Sequence, residues 1–123
     1  MTTDEVLIRS ILEDPTVIDG FSDGERLDSA ILADAVYFHE PDVGLFPSRI
    51  SGDFINVHAA IPKKNRGIKA VKAAKKLAKY LALIGFSVYT TVRKNNSSAI
   101  RFNHMVGLTR VGELDNHFVY RYL

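Results

Sequence analysis

The run Ile61-Pro62-Lys63-Lys64-Asn65-Arg66-Gly67-Ile68-Lys69-Ala70 decides how this chain folds. Upstream of it, Phe54-Ile55-Asn56-Val57-His58-Ala59-Ala60-Ile61 is rich in β-branched residues and partly alternating. Pro62 lacks the N–H that a continuing ladder would need, so a strand over 54–61 is expected to stop there. Downstream, apolar residues fall at Ile68, Val71, Ala74, Ala78, Leu81 and Ile84, close to helical period, until Gly85 supplies a stop. The spacing predicts a helix over 68–84, roughly 17 residues and about 25 Å long, entered through a short basic loop. The first turn of such a helix presents unpaired N–H groups and the positive end of the helix dipole, and Gly67 lets an anion come close to the backbone. Lys63, Lys64, Arg66 and Lys69 add charge at the same place, so strand, loop and helix together suggest a phosphate site. A merely solvated lysine face is the alternative reading. Neither a Gly-x-x-x-x-Gly-Lys-Ser/Thr loop nor a Gly-x-Gly-x-x-Gly fingerprint is present.

Composition narrows the setting. The 123 residues suit a single domain able to bury roughly two thirds of its unfolded surface. The absence of Cys excludes disulfides, a thiolate nucleophile and Cys-ligated metal. The acidic start Met1-Thr2-Thr3-Asp4-Glu5 does not read as a signal peptide, and no run of apolar residues reaches membrane-spanning length, so a cytoplasmic protein is expected. The net charge of +2 hides an asymmetry: residues 1–45 carry 11 acids and 2 bases, residues 46–123 carry 3 acids and 14 bases. A basic half calls for an anionic partner or for neutralisation by the acidic half.

The remaining elements follow in order. Thr2-Thr3-Asp4-Glu5 has capping-box spacing ahead of a helix over 4–14, ended by Asp14-Pro15, and Arg26 to Asp34 reads as a second short helix. Val36–Glu40 and Gly44–Ile50 flank Pro41-Asp42-Val43 as a hairpin, and a turn at Ser51-Gly52-Asp53 leads into the strand over 54–61. After the basic helix comes a strand over 86–92, and a strand–helix–strand crossover of this kind makes the flanking strands parallel. Asn95-Asn96-Ser97-Ser98 cap a last helix, Ala99 to Val106, stopped at Gly107, and 109–114 with 117–123 close the chain as a hairpin. The class is α/β (α+β mixed), in the order α-α-β-β-β-α-β-α-β-β, with one parallel pair inside a mostly antiparallel sheet.

This order and two motifs within it resemble the GNAT superfamily of acyl-CoA-dependent N-acetyltransferases. The family loop reads Gln/Arg-x-x-Gly-x-Gly/Ala, and Lys64-Asn65-Arg66-Gly67-Ile68-Lys69 aligns with it: Gly67 matches, Lys64 is a conservative departure, and Lys69 replaces a small residue. The second motif, Asn-x-x-Ala-x-x-aliphatic/aromatic-Tyr-x-x-x-Gly-Phe, meets Asn96, Ala99, Phe102 and Gly107, with Asn103 at the Tyr position and Leu108 at the Phe. The two motifs span about residues 54–114. The resemblance implies that the parallel pair splays around the pantetheine arm of acetyl-CoA, bonded by backbone groups of Ala59, Ala60 and Ile61. It further implies the pyrophosphate on the N–H groups of Asn65 to Lys69, with Ile68 among them, and Asn96 on the pantetheine side. The segment Val57–Gly67 also resembles small divergent members encoded by bacteriophages, which would make the compartment a host cytoplasm.

Direct transfer to an amine needs a base, a donor for the thioester oxygen and help for the leaving thiolate. His58 is the expected base, since an unperturbed imidazole titrates near 6.5. His39 and Glu40 are alternatives, and a packed strand histidine is the bland reading. The N–H of Ala60 or Ile61 would serve the oxygen. Asn103 cannot deliver a proton, and His104 beside it would point about 100° away on a helix, so the thiolate leaves unaided or activity has been lost. The four histidines lack paired metal-ligand spacing and no Gly-x-Ser-x-Gly elbow occurs, so neither metal nor a serine nucleophile is expected. The acceptor is expected to be an amine on a small molecule or a protein, with homodimerisation left open. The competing functions are an inactive binding or structural module and, as the weakest, a nucleic-acid binder using Lys69, Lys72, Lys76 and Lys79 on one helix face.

Overall fold

A computed structural model describes residues 1–17 and 35–123. The helix expected over 26–34 lies outside the described residues. Helix α1 (Glu5–Leu12) is capped by Asp4, whose carboxylate accepts from the N–H groups of Val6 and Leu7 at 3.1 and 3.2 Å. The capping box expected from Thr2 does not form. Thr2 instead bridges to Tyr37 through its own N–H, at 2.7 Å, which leaves the stronger capping residue, Asp4, to start the helix. The helix is correspondingly shorter than the expected 4–14.

Strands β1 (Val36–Glu40), β2 (Gly44–Ser51) and β3 (Phe54–Val57) form an antiparallel meander. A one-turn 3-10 segment (Lys63–Asn65) leads to helix α2 (Ile68–Leu83), followed by β4 (Ser87–Arg93), helix α3 (Ser97–Val106), β5 (Thr109–Glu113) and β6 (His117–Arg121). The sheet order is β1-β2-β3-β4-β6-β5, and β3 pairs with β4 in parallel. This is the mixed sheet with one parallel pair that the sequence pattern predicts.

Alternation along the strands gives the sheet two different faces. On one, α2 buries Ala70, Val71, Ala78 and Leu81, with Ile55 and Val88 beneath Ala78 and Leu81. On the other, α1 packs Ile8 and Leu12 with Tyr37, Leu45 and Ala60. The lysines of α2 all lie on its exposed side.

One expected boundary is corrected. The strand expected over 54–61 ends as regular ladder at Val57 and makes contact with β2 again at an isolated bridge between Ala60 and Leu45. The cause is Pro47 on β2: it accepts the N–H of His58 at 2.8 Å but has no N–H to return. Gly44 permits the renewed contact. A Cβ there would lie 2.6 Å from the Ala60 carbonyl oxygen, so only glycine lets 60–62 cross so close to β2.

Candidate functional site

The central feature is the parting of β3 from β4. Their parallel pairing consists of Phe54 with Ser87, Ile55 with Val88 and Asn56 with Tyr89, and beyond that row the two strands diverge. The segment 58–61 stays with β2, because the His58 N–H bonds the Pro47 carbonyl and Ala60 exchanges both of its backbone groups with Leu45, at 2.8 and 3.1 Å. Backbone groups alternate along an extended chain, so those of Ala59 and Ile61 turn toward the gap. Among the described residues neither of their N–H groups has a hydrogen-bond partner. Of the three residues expected to bond a cofactor arm, Ala59 and Ile61 therefore keep a free N–H, while Ala60 is excluded because Leu45 takes both its backbone groups.

A cleft of about 480 Å³, counted to the open solvent, occupies this gap. Its walls are Val57, His58 and Ala59 on one side and Val88, Tyr89 and Thr90 on the other. Ala74 and Leu77 of α2 and Phe102 and Asn103 of α3 close it from above. Asn103, at the position where the resemblance would have a tyrosine, is buried in this wall at 8% exposure. His104 points elsewhere, as its place on the helix predicts: its Nε2 lies 3.2 Å from the Tyr120 hydroxyl, with the two rings edge to face.

The basic loop is more committed to structure than its charge suggests. The N–H groups of Asn65 and Arg66 close the 3-10 turn on the carbonyls of Pro62 and Lys63, at 2.9 and 3.2 Å. The Asn65 side chain donates to the Val43 carbonyl. Arg66 donates through Nε to the Ile61 carbonyl at 3.0 Å and through Nη2 to the Thr16 carbonyl at 2.7 Å. These two residues brace the loop against the turn between β1 and β2 and against the N-terminal segment, and their N–H groups do not face an anion as the sequence suggested. Asp14 is part of the same brace: bonds from Thr16, aided by nearby Lys64 and Arg66, hold its carboxyl below the usual range.

The anion-binding capacity sits one step later. Gly67 caps α2 with φ 143°, a conformation that side chains rarely adopt, and among the described residues no side chain caps the helix. The first helical bond is from the Val71 N–H to the Gly67 carbonyl, so the N–H groups of Ile68, Lys69 and Ala70 are the ones left over by helix geometry. Lys64 and Lys69 are exposed beside them. Asn96, expected on the pantetheine side, caps α3: its side-chain Oδ1 accepts from the Ala99 N–H at 3.1 Å.

His58 does not titrate as a free imidazole would. Burial, then the positive charge of Arg49, then His117, push it down to about 4. It is neutral at pH 7, and far weaker as a base than the sequence alone implies. His39 and Glu40 lie on edge strand β1, separated from β3 by β2. Sequence reasoning missed the roles of Pro47 and Gly44, although a proline and a glycine inside one strand are the usual signs of an interrupted ladder and a close backbone approach.

No protein-family model matches the sequence, and no curated protein matches it either. Solved structures do match. An acetyltransferase from Agrobacterium tumefaciens superposes with TM-score 0.72 at 16% identity, over 100% of this chain and 86% of the other. The spermidine N-acetyltransferase of Vibrio cholerae, solved with CoA and spermine, gives 0.70 at 16% identity over 98% and 90%. A probable GNAT-family acetyltransferase from Chromobacterium violaceum gives 0.67 at 13% over 94% and 74%. With the splayed parallel pair, the cleft between its strands and the glycine-capped helix above it, the chain has the fold of the GNAT superfamily of acetyltransferases.

Proposed function

We propose that this chain is an N-acetyltransferase that takes acetyl-CoA as donor and an amine as acceptor. The observation carrying the reading is the gap between β3 and β4, edged by the unpartnered N–H groups of Ala59 and Ile61 and leading to the open N-terminus of α2. An extended amide-bearing arm fits that edge as an added strand would, and a pyrophosphate fits the helix end. The neighbour solved with CoA supports the same choice of donor.

When bound, acetyl-CoA supplies a thioester whose carbonyl is attacked by the amine as the C–S bond breaks and CoA leaves as a thiolate. The chain's own contributions follow from placement. The Ala59 N–H is aimed into the gap and can donate to the thioester oxygen as charge develops there. Asn103 offers an amide donor in the cleft wall but no acid, so the thiolate departs without a proton from that residue. His58, neutral at the working pH, borders the gap and is the imidazole able to take a proton from the amine, weakly.

The test is calorimetric titration with acetyl-CoA, CoA and desulfo-CoA. Binding in the micromolar range is expected, about tenfold or more weaker in Gly67→Val, because valine cannot hold the φ that opens the helix end. Lys76→Glu, on the exposed side of α2, is expected to leave affinity unchanged. No binding at millimolar acetyl-CoA would overturn the reading.

A further inference from the structure

The last row of paired residues before β3 and β4 part runs Arg49–Asn56–Tyr89–Arg121, one residue from each of β2, β3, β4 and β6. Residues in register share a face, and alternation puts this row on the face opposite α2, next to His58 two residues further along. The row lies at the apex of the gap, with its ends roughly 14 Å apart at the backbone. The Arg121 guanidinium stands 5.4 Å from the Tyr89 ring, and Phe54 holds the same ring at 5.6 Å. Two buried polar atoms in the row have no partner among the described residues: Oδ1 of Asn56, an acceptor, and Nε of Arg121, a donor. No described residue of β2, β3, β4 or β6 places a carboxylate on this face.

Unsatisfied buried polar groups carry a cost unless a ligand meets them. Here the unmet acceptor wants an N–H and the unmet donor, with Arg49 across the row, wants an anion. We infer that the acceptor is a small amine that also carries an anionic group, carboxylate or phosphate ester, its amine directed to Asn56 and its anion to Arg121 and Arg49. This rests on the transfer reading only for the fate of the amine; the site itself is a binding site in its own right. The same arginines favour a neutral over a protonated amine nearby, which lightens the demand on a weak base. The row is poorly suited to a polycation.

The experiment titrates the protein with β-alanine, 2-aminoethyl phosphate, ethanolamine and putrescine, and measures thiol release from acetyl-CoA with each. The two anionic amines are expected to bind, and to be turned over with kcat/KM at least about tenfold above ethanolamine and putrescine. Whichever of the two leads identifies the anion as carboxylate or phosphate. Arg49→Ala, at an exposed position, should lower the ratio of kcat/KM for the anionic amines to that for ethanolamine about tenfold. Asn56→Asp should shift preference toward putrescine, a gain that a folding defect cannot produce. Anionic amines that bind in the absence of any acetyl-CoA binding would uphold the site and overturn the transfer reading. Acetyl-CoA binding with putrescine or ethanolamine used as well as the anionic amines would overturn the site and leave transfer standing.

Discussion

His58 and Asn103 show how much a single side chain's setting outweighs its type. An imidazole beside a reaction gap reads as a base near neutrality, yet burial and Arg49 bring it down to about 4. Two outcomes follow. The rate should show no inflection near 6.5 and should climb with the ionisation of the amine, measured as a pH profile of kcat/KM. Stability should also depend on pH: with a folded value near 4 below an unfolded value near 6.5, the unfolded chain binds more protons in between. The contribution is therefore fully present above about pH 6.5 and is lost as pH falls toward 4. Thermal melting between pH 4.5 and 7.5 should show this slope, flattened in His58→Gln. Asn103 is buried in the cleft wall where it can donate a hydrogen bond. Asn103→Leu should lower kcat about tenfold with acetyl-CoA affinity retained, since an amide donor of this kind is worth more to developing charge than to the resting thioester.

At the scale of elements, periodicity and punctuation carried most of the reading. The basic helix, its glycine entry and the Gly107 stop stand at the expected residues because each rests on local chemistry, while the last helix begins at Ser97, two residues before the expected Ala99, because Asn96 is the residue of 95–98 that caps it. What was not legible depended on cross-strand partners. The end of β3 is set by Pro47, a residue ten positions earlier on another strand, and the loop's Asn65 and Arg66 are held by the carbonyls of Val43, Ile61 and Thr16. Charge in a sequence marks a residue as able to meet an anion; the fold decides which carbonyl reaches it first. Gly44 tests this layer of the structure. Gly44→Ala forces a methyl against the Ala60 carbonyl and should destabilise the fold by about 1–3 kcal/mol, read from the denaturant midpoint, with acetyl-CoA binding weakened because 58–61 is displaced.

Across the whole molecule, the described residues bring the acidic and basic halves of the sequence together around Asp14. Lys64 and Arg66 are near enough for their charge to be felt at Asp14, and Arg49 and Arg121 stand on a sheet face that the described strands supply with no carboxylate. The chain order announced the parallel pair, since crossover geometry leaves little choice. It could not announce the two unmatched polar atoms, which arise from a register that aligns four strands. The same alignment has a mechanical consequence. β1, β2 and β3 form one three-stranded panel and β4, β6 and β5 another, and the sheet is stitched between them along three residue pairs. That stitching is a seam, the place where the molecule should breathe most readily. Amide hydrogen exchange should find protection in the interior of each panel and faster exchange at Ala59 and Ile61, with His58 and Ala60 slower beside them. A ligand lying in the gap would act as the missing thread, and its arrival should be seen as slowing at those alternate amides and as panels that no longer open independently.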